Sequence, residues 1–151
     1  MDGPVLPIEF ARISDNGDLT TAICANAPGC TVLWAILDLD NLDEAREALR
    51  IREGVPRDRE DGIGSFVVGK TVAGVIAEWA IPRQLDAVIW TGLPPRFGGI
   101  EGLVPAAEDA IAYLGGLSGE EREHARVYIK KVPAQIDTPC RREIMTSLGW
   151  Q

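Results

Sequence analysis

The stretch LDAVIWTGLPPRFGG, Leu85–Gly99, decides the fold that we expect for this chain. Its residues 87–90, AVIW, are an apolar run of β-branched and aromatic side chains, which predicts a strand buried on both faces. Residues 91–99 follow as TGLPPRFGG, where proline and glycine predict a loop. Because ligands of α/β proteins collect where buried strands end in loops, we expect a binding site here first.

Further strands are predicted before this stretch. Residues 8–14 and 19–24 are short strand-like runs joined by Asp15-Asn16-Gly17-Asp18, and an Asn-Gly pair between two such runs is typical of a β-hairpin. Residues 31–37, TVLWAIL, predict a third strand that is apolar enough to lie near the centre of a sheet.

Two helices are predicted between the third strand and the strand at residues 85–90. Asn41 with Glu44 matches a capping box at a helix start, and Gly54 marks the expected end of that helix. Its predicted buried stripe consists of Leu42, Ala45, Ala48 and Leu49. Residues 71–81 predict a second, largely apolar helix that ends at Pro82.

The C-terminal third is predicted to be helical. Helical spacing of apolar residues begins after Pro105, resumes after the capping-box pair Ser118 and Glu121, and starts again at Thr138-Pro139. The whole pattern predicts an α+β fold. A small, mostly antiparallel sheet, formed by the N-terminal hairpin and the central strands, packs with helices. At 151 residues the chain is expected to be a single domain, residues 1–151.

Charge and composition narrow the classes of partner. The formal net charge of −8 argues against nucleic acid and anionic membranes as partners. Residues 118–151 carry six Lys and Arg against five Asp and Glu, so the acidic excess lies in the first 117 residues. This asymmetry leaves a basic protein partner as one expectation. Neither a membrane-spanning run nor a secretory signal is visible, which predicts a soluble cytoplasmic protein, as a monomer or a homodimer.

One segment matches the phosphate-binding P-loop pattern. Gly64–Thr71 reads GSFVVGKT, but a true P-loop needs a buried strand immediately before it and a backbone free to wrap phosphate. The preceding residues 59–63, REDGI, do not read as a buried strand, and residues 66–68 are apolar and stiff. The favoured interpretation is a loop that leads into a helix, and a nucleotide site would require a strand at residues 55–63.

The loop after the central strand supplies the first candidate site. Thr91 offers a hydroxyl, Phe97 an aromatic face and Gly98 a flexible backbone amide. Arg96 can hold a carboxylate or a phosphate through two parallel hydrogen bonds. The competing interpretation is a stiff Pro94-Pro95 corner with a solvated arginine.

The start of the last predicted helix supplies the second candidate site. A helix N-terminus attracts anions, and Arg141 and Arg142 would strengthen that attraction. The favoured interpretation is structural: Asp137 or Thr138 caps the helix, and the arginines balance nearby acids.

Catalytic groups are sparse in this sequence. Cys140 lies near two arginines and could act as a nucleophile, but its spacing from Ile144 favours a buried core thiol. His124 is the single histidine, so no Ser-His-Asp triad or histidine-based metal centre can be completed. The three cysteines are too scattered for a zinc site. We therefore expect neither a metal nor another cofactor.

Two functions follow from these observations. The first is a small acidic binding module that holds an anionic small molecule or an acidic peptide at the Trp90–Gly99 loop and the 137–142 helix start. The alternative is a small hydrolase or transferase that acts on a phosphorylated or carboxylated metabolite, with Arg96 and Arg141 positioning the substrate. The sequence leaves open whether the protein is an enzyme, and whether Arg96 converges with Arg141 and Arg142.

Overall fold

The computed structural model describes residues 1–70 and 73–151, and within them the chain has a small α+β fold with two small, mostly antiparallel sheets. The strands are β1 (Asp2–Ile13), β2 (Leu19–Ile23), β3 (Gly29–Leu33), β4 (Ile63–Val67), β5 (Ala87–Thr91), β6 (Arg96–Phe97) and β7 (Ile100–Glu101). The helices are α1 (Leu42–Arg52), α2 (Val75–Ala80), α3 (Ala107–Gly116), α4 (Gly119–Lys131) and α5 (Pro139–Ser147). The predicted fold class is confirmed.

The chain folds into two compact units. Unit 1 comprises Met1–Leu6 and Thr31–Leu93, and unit 2 comprises Pro7–Cys30 and Pro94–Gln151. Strands β1 and β3 contribute residues to both units. The single domain expected for residues 1–151 stays a prediction.

The N-terminal hairpin is confirmed in unit 2. Strands β1 and β2 pair antiparallel up to Ile13 opposite Leu19, and the turn between them places Gly17 at a φ of 83°. The positive φ explains why the turn carries Asn-Gly, since glycine adopts it without steric cost. A β-bulge between Phe10 and Arg12 interrupts the register, and β6 pairs parallel to β1 just beyond it, at Arg12.

Three helices bury the core of unit 2, as the C-terminal pattern predicts. The core residues are Phe10, Leu19, Ala110, Leu114, Ala125, Ile129, Cys140, Ile144 and Trp150. Helix α4 presents Ala125 and Ile129 to this core. The predicted capping box at its start is wrong, because the Ser118 side chain makes no capping hydrogen bond.

Unit 1 contains a two-stranded sheet with helices against it. Strands β4 and β5 pair antiparallel, and the small core comprises Phe66, Ala77 and Ala80 with half-buried tryptophans beside them. The Asn41 half of the predicted capping box of α1 is confirmed, because the Asn41 side chain accepts hydrogen bonds from the backbone N–H groups of Asp43 and Glu44. The predicted buried stripe is wrong: Leu42, Ala45 and Leu49 are half-buried and Ala48 is exposed. Helix α2 starts at Val75, and residues 71 and 72 of the predicted helix lie outside the described residues.

Two strand predictions need correction. The strand expected at residues 31–37 ends at Leu33, and Ile36 beyond it is 74% exposed, so this segment does not lie at a sheet centre. Strand β5 is not buried on both faces: its central residues are half-buried, and in the described residues it pairs with β4 alone. Apolar composition predicts the extended backbone correctly, but it does not specify how many neighbours cover a strand.

The first four residues of the P-loop-like segment, 64–67, belong to a strand. Residues 63–67 form β4, with Gly64 opposite Trp90 and Phe66 opposite Val88, so their backbone groups pair with β5. The interpretation as a loop is therefore wrong for residues 64–67, which cannot form a phosphate cradle, while residues 68–70 form a turn. Residues 55–62 are not a strand, and Thr71 of the match lies outside the described residues.

The structure gives Gly64 a packing role that can be tested. A Cβ at residue 64 would lie 2.3 Å from Cε2 of Trp90, closer than packed side chains allow. We expect Gly64→Ala to lower the free energy of unfolding by about 1–3 kcal/mol, measured by urea unfolding with tryptophan fluorescence. Gly116→Ala is the control, because a Cβ there meets nothing within 4 Å. Equal stability of Gly64→Ala and the wild-type protein would contradict the packing role.

Candidate functional site

An open groove of about 660 Å³ lies in unit 2, which we call the Phe97 groove. Three elements supply its walls: the turn after β1, the β6–β7 hairpin and helix α3. The lining residues are Ile13, Ser14, Asp15, Arg96, Phe97, Gly98, Gly99, Asp109, Ala112 and Tyr113. Three predicted ligand-binding residues, Arg96, Phe97 and Gly98, are therefore brought together here.

A tight hairpin positions Arg96 and Phe97. The segment predicted as a loop ends in β6, which pairs antiparallel with β7 so that Phe97 lies opposite Ile100. Gly98 and Gly99 join the strands with φ angles of 58° and 75°. A two-residue turn with two positive φ angles matches the twist of a hairpin, so the Gly-Gly pair builds this wall of the groove.

The charge of Arg96 is already compensated. Its Nη2 lies 2.8 Å from Oδ1 of Asp15, its Nη1 lies 3.4 Å from Oε1 of Glu101, and its Nε donates to the carbonyl of Ile13 at 2.9 Å. The Arg96 side chain is 17% exposed. Arg96 therefore links strand β6 to the end of β1 and to the turn that follows it.

Glu101 also binds a second arginine. Nη1 and Nη2 of Arg12 lie 3.0 and 3.3 Å from the Glu101 carboxylate, and Nη1 also donates to the carbonyl of Pro94 at 2.8 Å. The Arg12 side chain is 7% exposed. A guanidinium so far removed from water needs an acidic partner, and Glu101 supplies it.

Two aromatic rings form the apolar part of the groove. Phe97 and Tyr113 meet edge to face, with ring centroids 6.3 Å apart and an interplanar angle of 80°. The Tyr113 hydroxyl donates to the carbonyl of Gly17 at 2.6 Å. Burial, followed by the charges of Asp18 and Glu121, raises the pKa of Tyr113, so its hydroxyl keeps its proton at neutral pH.

Carboxylates give the groove an acidic rim. The Asp15 side chain is 79% exposed, although one of its oxygens binds Arg96. Asp109 is exposed on the first turn of α3 and accepts a hydrogen bond from the backbone N–H of Ala106 at 3.3 Å. Since Asp15 pairs with Arg96 and Glu101 with Arg12, the carboxylate of Asp109 is the negative charge in excess among these residues.

The second candidate site, at the start of α5, already holds an anion from the chain itself. The Glu9 carboxylate accepts hydrogen bonds from the Thr138 hydroxyl, from the backbone N–H of Cys140 at 3.1 Å and from the backbone N–H of Phe10 at 2.8 Å. The Thr138 hydroxyl also accepts from the backbone N–H of Arg141 at 3.2 Å, which makes Thr138 the helix cap. Glu9 thus takes the place that the sequence offers to an external anion.

The two arginines of this helix are engaged as well. Arg141 is buried, and its guanidinium donates to four backbone carbonyls, those of Ile129, Val132, Pro133 and Ile136, at 2.5–3.1 Å. It therefore satisfies carbonyls in the last turn of α4 and in the segment after it. Arg142 is exposed and pairs with Asp137 at 3.0 Å.

The predicted residues consequently fall into three places. Asp137, Thr138, Arg141 and Arg142 lie together at the start of α5 and do not line the Phe97 groove. Thr91 ends β5 in unit 1. Sequence reasoning missed Asp109 and Tyr113 as groove residues and Glu9 as the helix anion, because each acts on residues far away in the chain. For Glu9 alone there is a local signal, since it is a charged residue inside an otherwise apolar strand pattern.

Cys140 is a core thiol, as the favoured interpretation predicts. It is 5% exposed, and burial, followed by the charges of Glu9 and Glu143, raises the pKa of Cys140 to about 12. His124 is exposed, and its Nδ1 lies 2.9 Å from Oδ1 of Asp18. Within residues 1–70 and 73–151, no cluster of His, Cys, Asp and Glu has the arrangement of a metal site.

Comparison with known proteins adds no functional assignment. No model of a protein family, no curated protein and no solved structure matches the chain at a significant level. Among the described residues, no helix combines the length and the apolar character needed to cross a membrane.

The role of Glu9 can be tested by removing its charge. In Glu9→Gln an amide N–H₂ replaces one carboxylate oxygen, so donors at the start of α5 lose an acceptor. We expect the free energy of unfolding to fall by about 1–3 kcal/mol in chemical denaturation. Glu143→Gln, on the exposed face of the same helix, should change it by less than about 0.5 kcal/mol. Equal effects of the two variants would contradict this role of Glu9.

The raised pKa of Cys140 predicts a chemically inert thiol. At pH 8 only about one Cys140 thiol in ten thousand is ionised, since its pKa is about 12. Iodoacetamide should therefore modify the half-buried Cys30 but leave Cys140 unmodified in the folded protein, as read by mass spectrometry of peptides. In denaturant both should react. Rapid modification of Cys140 in the folded protein would contradict this prediction and support Cys140 as a nucleophile.

Proposed function

We propose that unit 2 is a binding module whose Phe97 groove takes a positively charged segment of a protein partner. The observation that carries this proposal is the charge of the groove. Two exposed carboxylates, Asp15 and Asp109, border it, while the cation that lines it, Arg96, is paired with Asp15 and Glu101. Such an acidic rim favours a basic ligand and speeds its association.

The apolar part of the groove narrows the ligand class. Phe97 and Tyr113 offer aromatic surface, and Ile13 and Ala112 add aliphatic surface. A lysine or arginine side chain fits such a place well. Its aliphatic stem packs on rings, while its charged end reaches a carboxylate. The ligand is therefore a peptide segment in which basic and apolar side chains alternate.

An anionic ligand is the competing proposal, and the ion pairs weigh against it. To take the place of Asp15 on Arg96, a ligand carboxylate or phosphate must share the guanidinium with Glu101 in a groove that Asp109 also lines. Repulsion between the ligand anion and these carboxylates offsets part of the energy that the new ion pair provides. The proposal therefore remains a binding module, but for a positively charged ligand instead of the anionic ligand that the sequence suggests.

A pair of labelled peptides tests the proposal. The basic probe is an acetylated and amidated peptide of alternating arginine and leucine, and the acidic probe has glutamate in place of arginine. Fluorescence anisotropy should give saturable binding of the basic probe, weakened by added salt. Asp15→Asn and Asp109→Asn should each weaken it by about three- to tenfold, since each removes one rim charge.

A matched variant separates the groove from general charge attraction. Glu108 is exposed beside Asp109 on α3 but does not line the groove, so Glu108→Gln should change the affinity by less than about twofold. Equal weakening by all three variants would show non-specific attraction and overturn the proposal. Binding of the acidic probe in preference to the basic one would overturn it in favour of an anionic ligand.

A further inference from the structure

A second groove, of about 250 Å³, lies in unit 1, and four arginines line it. We call it the Arg46 groove. Arg46 and Arg50 come from successive turns of α1, while Arg57 and Arg59 come from the segment that leads to β4. The other lining residues are Asp43, Glu47, Glu60 and Ile63. The convergence of four guanidinium groups contrasts with the net charge of −8 of the whole chain.

Two of these arginines are held in place by carboxylates. Arg50 makes two hydrogen bonds of 2.7 Å to Glu47 and donates to the carbonyl of Val55 at 2.7 Å. Arg59 makes two hydrogen bonds of 2.9 Å to Asp61. Hydrogen bonds from Arg50, with the charges of Arg50 and Arg57, lower the pKa of Glu47 to about 2, so its charge persists at any physiological pH. Arg50 and Arg59 are thus held in position, Arg59 with its charge compensated by Asp61 and Arg50 with a carboxylate that it shares with Arg57.

The other two arginines keep donors for a ligand. Arg46 donates to the Ser65 hydroxyl at 2.7 Å and, within residues 1–70 and 73–151, makes no ion pair with a carboxylate. A guanidinium has five N–H donors, so one bond to a hydroxyl leaves most of its capacity unused. Arg57 contacts Glu47 through Nη2 at 2.5 Å, and its side chain is 77% exposed.

We infer that the Arg46 groove binds the phosphate group of a small phosphate monoester, with Arg46 and Arg57 as its main ligands. A dianionic phosphate has the oxygens to accept from two guanidinium groups at once, and arginine binds phosphate in bidentate geometry. Arg50 and Arg59, held by Glu47 and Asp61, keep the sides of the groove in place around it. Asp43 and Glu60 are exposed, where water and salt screen their repulsion.

This site is independent of the function proposed for the Phe97 groove. Its residues belong to unit 1, its ligand is an anion, and its arginines are different from those that the sequence pattern selects. Ser65 on β4 accepts a hydrogen bond from Arg46. The segment that resembles a P-loop therefore helps to orient this arginine by a side chain and does not form a backbone cradle.

Nuclear magnetic resonance of the arginine side chains tests the inference on the full chain. The probes are inorganic phosphate and phenyl phosphate at pH 8, with sodium chloride at matched ionic strength as the reference. Both probes should shift the Nε–H resonances of Arg46 and Arg57 saturably, with dissociation constants on the order of 1 mM. Tighter binding of phenyl phosphate supports an ester ligand, and preference for inorganic phosphate would overturn the ester in favour of the free ion.

Charge-matched variants decide whether the site is specific. Arg46→Gln and Arg57→Gln should each weaken phenyl phosphate binding about tenfold, since each removes a charge-assisted contact. Arg52→Gln is the control, because Arg52 is 82% exposed on the same helix and pairs with Glu53. Its affinity should stay within about twofold of wild type. Arg57 is exposed, so its variant should keep the fold. The inference is overturned if neither probe saturates or if Arg52→Gln weakens binding as much as Arg57→Gln.

Discussion

The carboxylate of Glu101 lies between the guanidinium groups of Arg12 and Arg96, and the organisation of unit 2 depends on this arrangement. Arg12 is nearly buried on β1, where an unpaired charge would cost several kcal/mol. Glu101 removes that cost and also ties the β6–β7 hairpin to β1. Because Arg12 and Arg96 are neighbours in a parallel pairing, one carboxylate on the next strand reaches both.

The same interaction decides what the Phe97 groove offers to a ligand. Arg96 is the residue that the sequence singles out for anion binding, but in the folded chain its charge is shared by Glu101 and Asp15. Asp15 is exposed but paired with Arg96, so the carboxylate of Asp109 supplies the excess negative charge of the rim, beside the aromatic pair of Phe97 and Tyr113. The proposed preference for a basic segment follows from this ion pairing and not from the net charge of the chain.

Local signals in the sequence predict local structure well. The Asn16-Gly17 turn, the Asn41 cap and the Thr138-Pro139 helix start are all confirmed, because each depends on residues a few positions apart. The failures concern partners that are distant in the chain. Nothing near Arg141 shows that its guanidinium will bind four carbonyls at the end of α4 and after it, or that Glu9 will occupy the start of α5. The P-loop match fails for the same reason, since β5 is the partner that makes residues 63–67 a strand.

The central claim is that Asp15 and Glu101 together make the groove selective for positive charge by compensating Arg96. The most direct measurement is the ratio of affinities for the basic and the acidic peptide in Glu101→Gln, with Glu108→Gln as the charge-matched reference and a folded spectrum required of both. Arg96 then keeps only Asp15 of these two partners, and its less compensated charge should lower the preference for the basic peptide by about threefold relative to Glu108→Gln. An unchanged ratio would contradict the claim.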